Sequence, residues 1–182
     1  MQAAPELLAR CRKNDRKAHN ELYGHCFGYL MSICLRYCNN REDAESLLNQ
    51  GFLKIVTKLD KYNEDVPFGS WISRIMVNTI IDEFRRDKKR RENMSGAELD
   101  EDRSTGRVDY NEAAQRLEAE ALEKVIQKLP DMSRKVFNLY AIEGYTHKEI
   151  GEMLGISDGT SKWHVSFARK NLQGMIKTAM KK

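Results

Sequence analysis

The chain has 182 residues, 41% of them apolar and 32% charged, with only 3 Pro and 11 Gly, which excludes collagen-like and low-complexity polymers and argues against turn-rich sandwiches and barrels. No run of 18 apolar residues occurs, and the opening MQAAPELLARCRKND has no apolar core, so neither a membrane span nor a secretory leader is expected. The net charge of +4 is unevenly spread: residues 1–92 hold 17 Lys/Arg and 13 Asp/Glu, residues 93–120 hold 3 and 8, and residues 121–182 hold 11 and 6. Two basic blocks around an acidic joint suit a polyanionic partner, usually nucleic acid.

The periodicity is helical throughout, and no strand signal appears. Leu22, Cys26, Leu30, Ile33 and Tyr37 recur at spacings of 3 and 4, and so do Ala44, Leu48, Phe52, Ile55 and Leu59. Asn39-Asn40 separates these helices as a short turn, and the acidic Glu42, Asp43 and Glu45 mark the start of the second. Tyr62 to Gly69 reads as a loop, with Ser70 as the expected N-cap of a helix from Trp71 to about Lys89. Trp71, Ile72, Ile75, Met76, Ile80 and Phe84 form its apolar side, and Arg74, Asn78, Asp82, Arg85 and Lys89 form a polar stripe. The helix ends in RRDKKRR, residues 85–91.

Residues 92–112 are acidic and without periodicity, and read as a flexible linker. A helix is expected from near Ala113 to before Pro130, followed by one capped by Ser133. Cys11, Cys26, Cys34 and Cys38 lack the tight C-x₂-C pairing of common zinc sites and read as reduced core thiols. The four histidines are scattered, and neither a phosphate-binding Gly loop nor H-E-x-x-H occurs. No catalytic residue, metal or cofactor is therefore expected.

Residues 144–157, GYTHKEIGEMLGIS, have the logic of a helix-turn-helix. Thr146 and Glu149 form a capping box, Ile150 and Leu154 face inward, Gly155 closes the helix, and Ser157 caps the next. In that second helix Ser161, Val165, Ala168 and Leu172 make the inward stripe. Asp158, Gly159, Thr160, Lys162, Trp163, Ser166 and Lys170 remain for the outside. The N-terminal part of such a helix reaches base edges in the major groove. Lys162 can donate to guanine, Trp163 and Phe167 can make apolar contact with a thymine methyl, and the first helix would lay its N-terminus, with Thr146 and Lys148, against a phosphate.

Three stretches together carry a resemblance: RYCNNREDAESLLNQGFLKIVTKLDKY, PFGSWISRIMVNTIIDEFRRDKKRR, and LPDMSRKVFNLYAIEGYTHKEIGEMLGISDGTSKWHVSFARKNL. Over about residues 5–91 and 113–175 the chain resembles a bacterial sigma factor of the extracytoplasmic-function group. The resemblance implies an all-α protein of two small helical domains. Residues 1–91 would dock on core polymerase and read the −10 element, 92–112 would be the linker, and 113–182 would read the −35 element as duplex. It also implies core RNA polymerase (the β′ clamp helices and the β flap), promoter DNA and an inhibitory anti-sigma factor as partners, with no membrane insertion and a cytoplasmic location.

Carried over residue by residue, polymerase contacts fall on Asp43, Glu45, Leu48, Asn49, Gln50 and Phe52. Contacts to the −10 strand fall on Tyr62, Asn63, Phe68, Arg74, Asn78, Asp82, Arg85, Arg86 and Lys89, with Asp82 expected to orient a neighbouring Arg. Trp71 is expected to anchor the core. Two departures stand out. Where the family usually has Asp-Leu-Val-Gln-Glu-Val-Phe, this chain has Ser46-Leu47-Leu48-Asn49-Gln50-Gly51-Phe52. Gly51 there should cost the helix about 1 kcal/mol relative to Ala. In the recognition helix Ser161 replaces the usual Val and Trp163 a small polar residue. The competing reading is a stand-alone helix-turn-helix regulator, which would leave the stripe from Arg74 to Arg85 without a purpose.

Overall fold

The computed structural model describes residues 1–94 and 125–179. The chain divides into two units, Met1–Arg91 and Glu92–Lys182. Every element among the described residues is helical, and none of these helices is long and apolar enough to cross a membrane. Most of the linker expected at 92–112, and most of the helix expected from Ala113, lie outside the described residues.

The first unit contains α1 (Pro5–Arg12), α2 (Arg16–Leu35), α3 (Arg41–Thr57), a 3-10 turn (Leu59–Lys61) and α4 (Phe68–Met94). Asp15 caps α2 by accepting from the amides of Lys17 and Ala18. Asn40 caps α3, accepting from the amide of Asp43 at 2.7 Å. These caps satisfy amides that have no partner within the helix. The buried faces follow the sequence periodicity: Leu22, Cys26, Leu30, Ile33 and Tyr37 from α2 and its end, Ala44, Leu48, Ile55 and Leu59 from α3 and the 3-10 turn, and Ile72, Met76 and Ile80 from α4.

α4 begins earlier and ends later than the spacing suggests. The carbonyl of Pro67 accepts from the amide of Trp71 at 3.1 Å, so Ser70 lies inside the first turn and is not its cap. At the other end the charged run stays helical to Met94. Arg86 pairs with Glu83 at 2.9 Å and Arg90 with Asp87 at 2.6 Å, both at i,i+3. Such pairs support an exposed helix by a few tenths of a kcal/mol each, about 0.2–0.5.

Gly51 has a packing reason that its propensity hides. It is buried on α3, and an added Cβ would overlap Met76 Cε and lie 2.8 Å from its Sδ. Met76 is fully buried and fills the space a larger residue at 51 would take. All four cysteines are free and buried. Burial pushes the Cys26 and Cys34 thiols up to about 12, which works against the thiolate that redox chemistry needs.

The second unit contains α5 (Asp131–Phe137), a π turn (Asn138–Ile142), α6 (His147–Leu154) and α7 (Asp158–Ala179). Pro130 stands at the N-cap of α5. The expected cap Ser133 is instead a buried residue of the helix, hydrogen-bonded through Oγ to His164 Nδ1 at 2.9 Å. Arg134 and Lys135 are also buried on α5, and both pair with Asp131. The core gathers Ile126, Leu129, Ala168 and Leu172, with Val125 and Phe137 against them.

Candidate nucleic-acid interface

The helix-turn-helix is built by its caps. Thr146 Oγ accepts from the Glu149 amide at 3.3 Å, and Glu149 Oε2 accepts from the Thr146 amide at 2.8 Å, closing both halves of the capping box. Gly155 takes φ 65° and ψ 44°, the left-handed conformation that ends α6 at little cost only for glycine. The turn then folds back closely. The Ile156 amide donates to the Gly151 carbonyl at 3.1 Å, and a Cβ on Gly151 would sit 2.8 Å from the Ile156 carbonyl oxygen. Ser157 Oγ accepts from the Thr160 amide at 3.0 Å and starts α7.

Two serine–histidine bonds fix α7 against its neighbours. Ser161, fully buried, pairs with His147 Nδ1 of α6 at 3.0 Å. His164 pairs with Ser133 of α5. The unusual Ser161 is thus a buried polar link between the two helices of the motif. Val165, Ala168 and Leu172 complete the inward stripe.

The outer face carries Asp158, Gly159, Thr160, Lys162, Trp163, Ser166 and Lys170, all exposed, with Ser157, Thr146 and Lys148 exposed at the helix starts. Lys162 pairs with Asp158 at 2.5 Å. Phe167 is half-buried and stacks on Trp163, ring centres 5.1 Å apart. Sequence reasoning missed part of this surface. An open groove of about 430 Å³ runs beside α7, lined by Tyr140, His147, Lys162, Arg169, Lys170 and Gln173 among others. Tyr140 stacks on His147 at 4.4 Å, and Arg169 lies 5.6 Å from the Tyr140 ring centre. The spacing Lys162, Ser166, Arg169, Gln173 was the available signal, one helical row over from the row centred on Trp163.

His164 gives this unit a pH dependence. Burial disfavours the imidazolium and lowers its pKa below the ordinary imidazole value. The unfolded chain therefore takes up the proton first as the pH falls. Stability is full at neutral and higher pH and declines as the pH drops through the ordinary imidazole value of about 6.5. Thermal melting of the full chain between pH 7.5 and 5.5 should show this decline, and His164→Gln should make it shallower. Parallel slopes for the two proteins would refute the assignment.

In the first unit the exposed face of α4 presents Arg74, Asn78, Arg85, Arg86 and Lys89. Asp82 is half-buried and pairs with Lys54 of α3 at 3.1 Å, not with an Arg of its own stripe as the sequence suggested. The loop before α4 is organised by its own side chains. Asn63 Oδ1 accepts from the Asp65 amide at 3.0 Å, and Tyr62 Oη donates to the Val66 carbonyl at 2.7 Å. Tyr62, Phe68 and Trp71 form an aromatic cluster with centres 5.0 to 5.9 Å apart. Phe68 is only 3% exposed, so it is a core residue here and offers no ring to a base. Tyr62 and Trp71 are half-buried.

On α3 the carried-over contacts separate. Asp43 and Asn49 are exposed, and Glu45, Gln50 and Phe52 are half-buried. Glu45 is paired with Arg41 at 2.8 Å, and Asn49 accepts from Tyr23 Oη at 2.8 Å. Leu48 is fully buried and is removed from the contact surface, because its side chain belongs to the core stripe. Leu53, 64% exposed and four residues past Asn49, lies on the same exposed side of α3. Its absence from the apolar row Ala44, Leu48, Phe52, Ile55 was the signal that could have revealed it. Among the described residues no cluster of His, Cys, Asp or Glu could hold a metal.

The ECF sigma factor family matches residues 1–178. Among curated proteins, the ECF RNA polymerase sigma factor SigW of Bacillus subtilis is 26% identical, the match covering 93% of this chain and 95% of that protein. SigM of Mycobacterium tuberculosis is also 26% identical, over 94% of this chain and 83% of its own length. The RNA polymerase sigma-H factor of Pseudomonas aeruginosa is 25% identical, over 96% of each. Among solved structures, the sigma factor RpoE bound to the anti-sigma factor NepR, from Bartonella quintana, superposes with a TM-score of 0.53 at 18% identity. That match covers 87% of this chain and 96% of that one.

Proposed function

From the chain's membership of the ECF sigma factor family, shown by a match over residues 1–178, we propose a division of labour between its two units. The protein is a sigma factor that binds core RNA polymerase and directs promoter-specific initiation. In our reading residues 113–182 hold the −35 duplex through α7, and residues 1–91 dock on polymerase through α3 and capture the melted −10 strand along α4. It acts in the cytoplasm, has no catalysis of its own, and is held in check by an anti-sigma factor of the kind that the solved relative binds.

The observation that carries this division is the face of α4. Arg74, Asn78 and Arg85 are all exposed on one polar row, and they lie in a different unit from the helix-turn-helix. A regulator that reads one duplex site has no use for that second surface. A single strand does, since cations hold its phosphates while an amide carrying both donors and an acceptor reads a base edge.

Run-off transcription with core polymerase from a bacterium encoding the protein tests the proposal. Adding the protein should yield discrete start sites from a genomic template library, and the protein alone should bind duplex promoter weakly. If no discrete transcript appears and the isolated protein binds one operator tightly, the regulator reading replaces it.

A further inference from the structure

Trp163 is the large side chain nearest the centre of the outer face of α7. Each residue of an α-helix turns by about 100°, so Trp163 and Lys170 point most nearly away from the buried stripe Ser161, Val165, Ala168 and Leu172. The indole is 58% exposed, yet it is held. Phe167 stacks against it with 22° between the planes, and the His164 ring meets it edge-on at 4.9 Å. A ring braced on two sides loses little freedom when it meets a partner.

The partner's chemistry follows from what an indole can offer. It has one N–H donor and no conventional acceptor, so beyond that single hydrogen bond its exposed surface recognises a partner through apolar and ring-face contact. Lys162, Ser166 and Lys170 flank it and are exposed, a setting that suits a polyanion better than an apolar protein groove. On the major-groove edges of the four base pairs, the distinctive apolar group is the 5-methyl of thymine.

We propose that Trp163, braced by Phe167, reads the 5-methyl group of a thymine in the −35 duplex, so that promoter choice depends on a methyl contact as well as on hydrogen bonds. This rests on the reading that α7 occupies the major groove.

The test uses the holoenzyme, formed from core polymerase and the full chain. A random duplex library is first selected for binding. The enriched −35 duplex is then rebuilt with deoxyuridine in place of each thymine in turn, a change that removes one methyl and no hydrogen-bonding group. Burying one methyl is worth about 0.8 kcal/mol, so at one thymine the wild-type affinity should fall about fourfold. Trp163→Ala should abolish the difference between thymine and deoxyuridine there. Lys162→Ala should weaken both duplexes and keep the difference. The proposal is overturned if every thymine can be replaced without loss, a result that needs only the wild-type protein, or if Trp163→Ala keeps the difference. Failure to enrich any duplex would be a separate result, sinking the placement of α7 in the groove and the proposal with it.

Discussion

A holoenzyme carrying Asn78→Ala is expected to form open complexes about tenfold more slowly than wild type, with its affinity for the −35 duplex unchanged. Asn78 is exposed on α4 between Arg74 and Asp82, and Asp82 is occupied by Lys54. The amide is therefore the neutral group on this row able both to donate to and accept from a base edge. A well-made paired contact to a base is worth about 1–3 kcal/mol, and tenfold lies within that range. Fluorescence of a base analogue placed in the −10 element would follow strand opening, and a −35 duplex bound by the same holoenzyme would supply the control. Equal losses in both measurements would contradict the proposed division between α4 and α7. Phe68→Leu makes a useful contrast. It should act on stability before strand capture, because Phe68 is buried beneath Tyr62 and Trp71.

The second large effect concerns stability. Helix propensity alone says that Gly51→Ala should stabilise α3 by about 1 kcal/mol. Packing says the opposite, because the new methyl would overlap Met76 Cε and Met76, fully buried, has no solvent to swing into. Overfilling a close-packed core costs about 1–3 kcal/mol, so the packing cost is expected to outweigh the gain in propensity. Chemical denaturation should show Gly51→Ala destabilised, and the double variant Gly51→Ala with Met76→Val should recover much of the loss by returning volume at the facing position. A more stable single variant would show that the core can move aside. The glycine thus belongs to a matched pair with a methionine 25 residues away.

That pair marks where one-dimensional reading stops. The helices and their buried stripes were legible because period 3.6 leaves its trace in sequence, and the capping box of Thr146 and Glu149 and the left-handed Gly155 were legible because both are local. Gly51 with Met76, Ser161 with His147 and Ser133 with His164 join residues distant in sequence, and no spacing announces them. Ser133 and Ser70 misled for a related reason: a serine near a helix start is a good cap only if the helix begins at the next residue, and here both helices begin sooner, with Pro130 and Pro67 at their starts. At the interface the polar row of α4 and most of the outer face of α7 could be read directly. Phe68 could not, since an apolar residue that contacts a partner and one that fills a core look the same in sequence, whereas Leu48 already stood in the apolar row of α3 that marked it as core. Arg169 was missed because its place beside Tyr140 depends on the π turn that ends α5.

The unbroken course of α4 from Phe68 to Met94 makes it a ruler. At about 1.5 Å per residue, the row from Arg74 to Lys89 measures roughly 22 Å. The alignment of that row is thus a property of the helix as a whole: inserting one residue midway would lengthen it by only about 1.5 Å but swing everything beyond by about 100°, turning Arg85 and Lys89 off the face that carries Arg74 and Asn78.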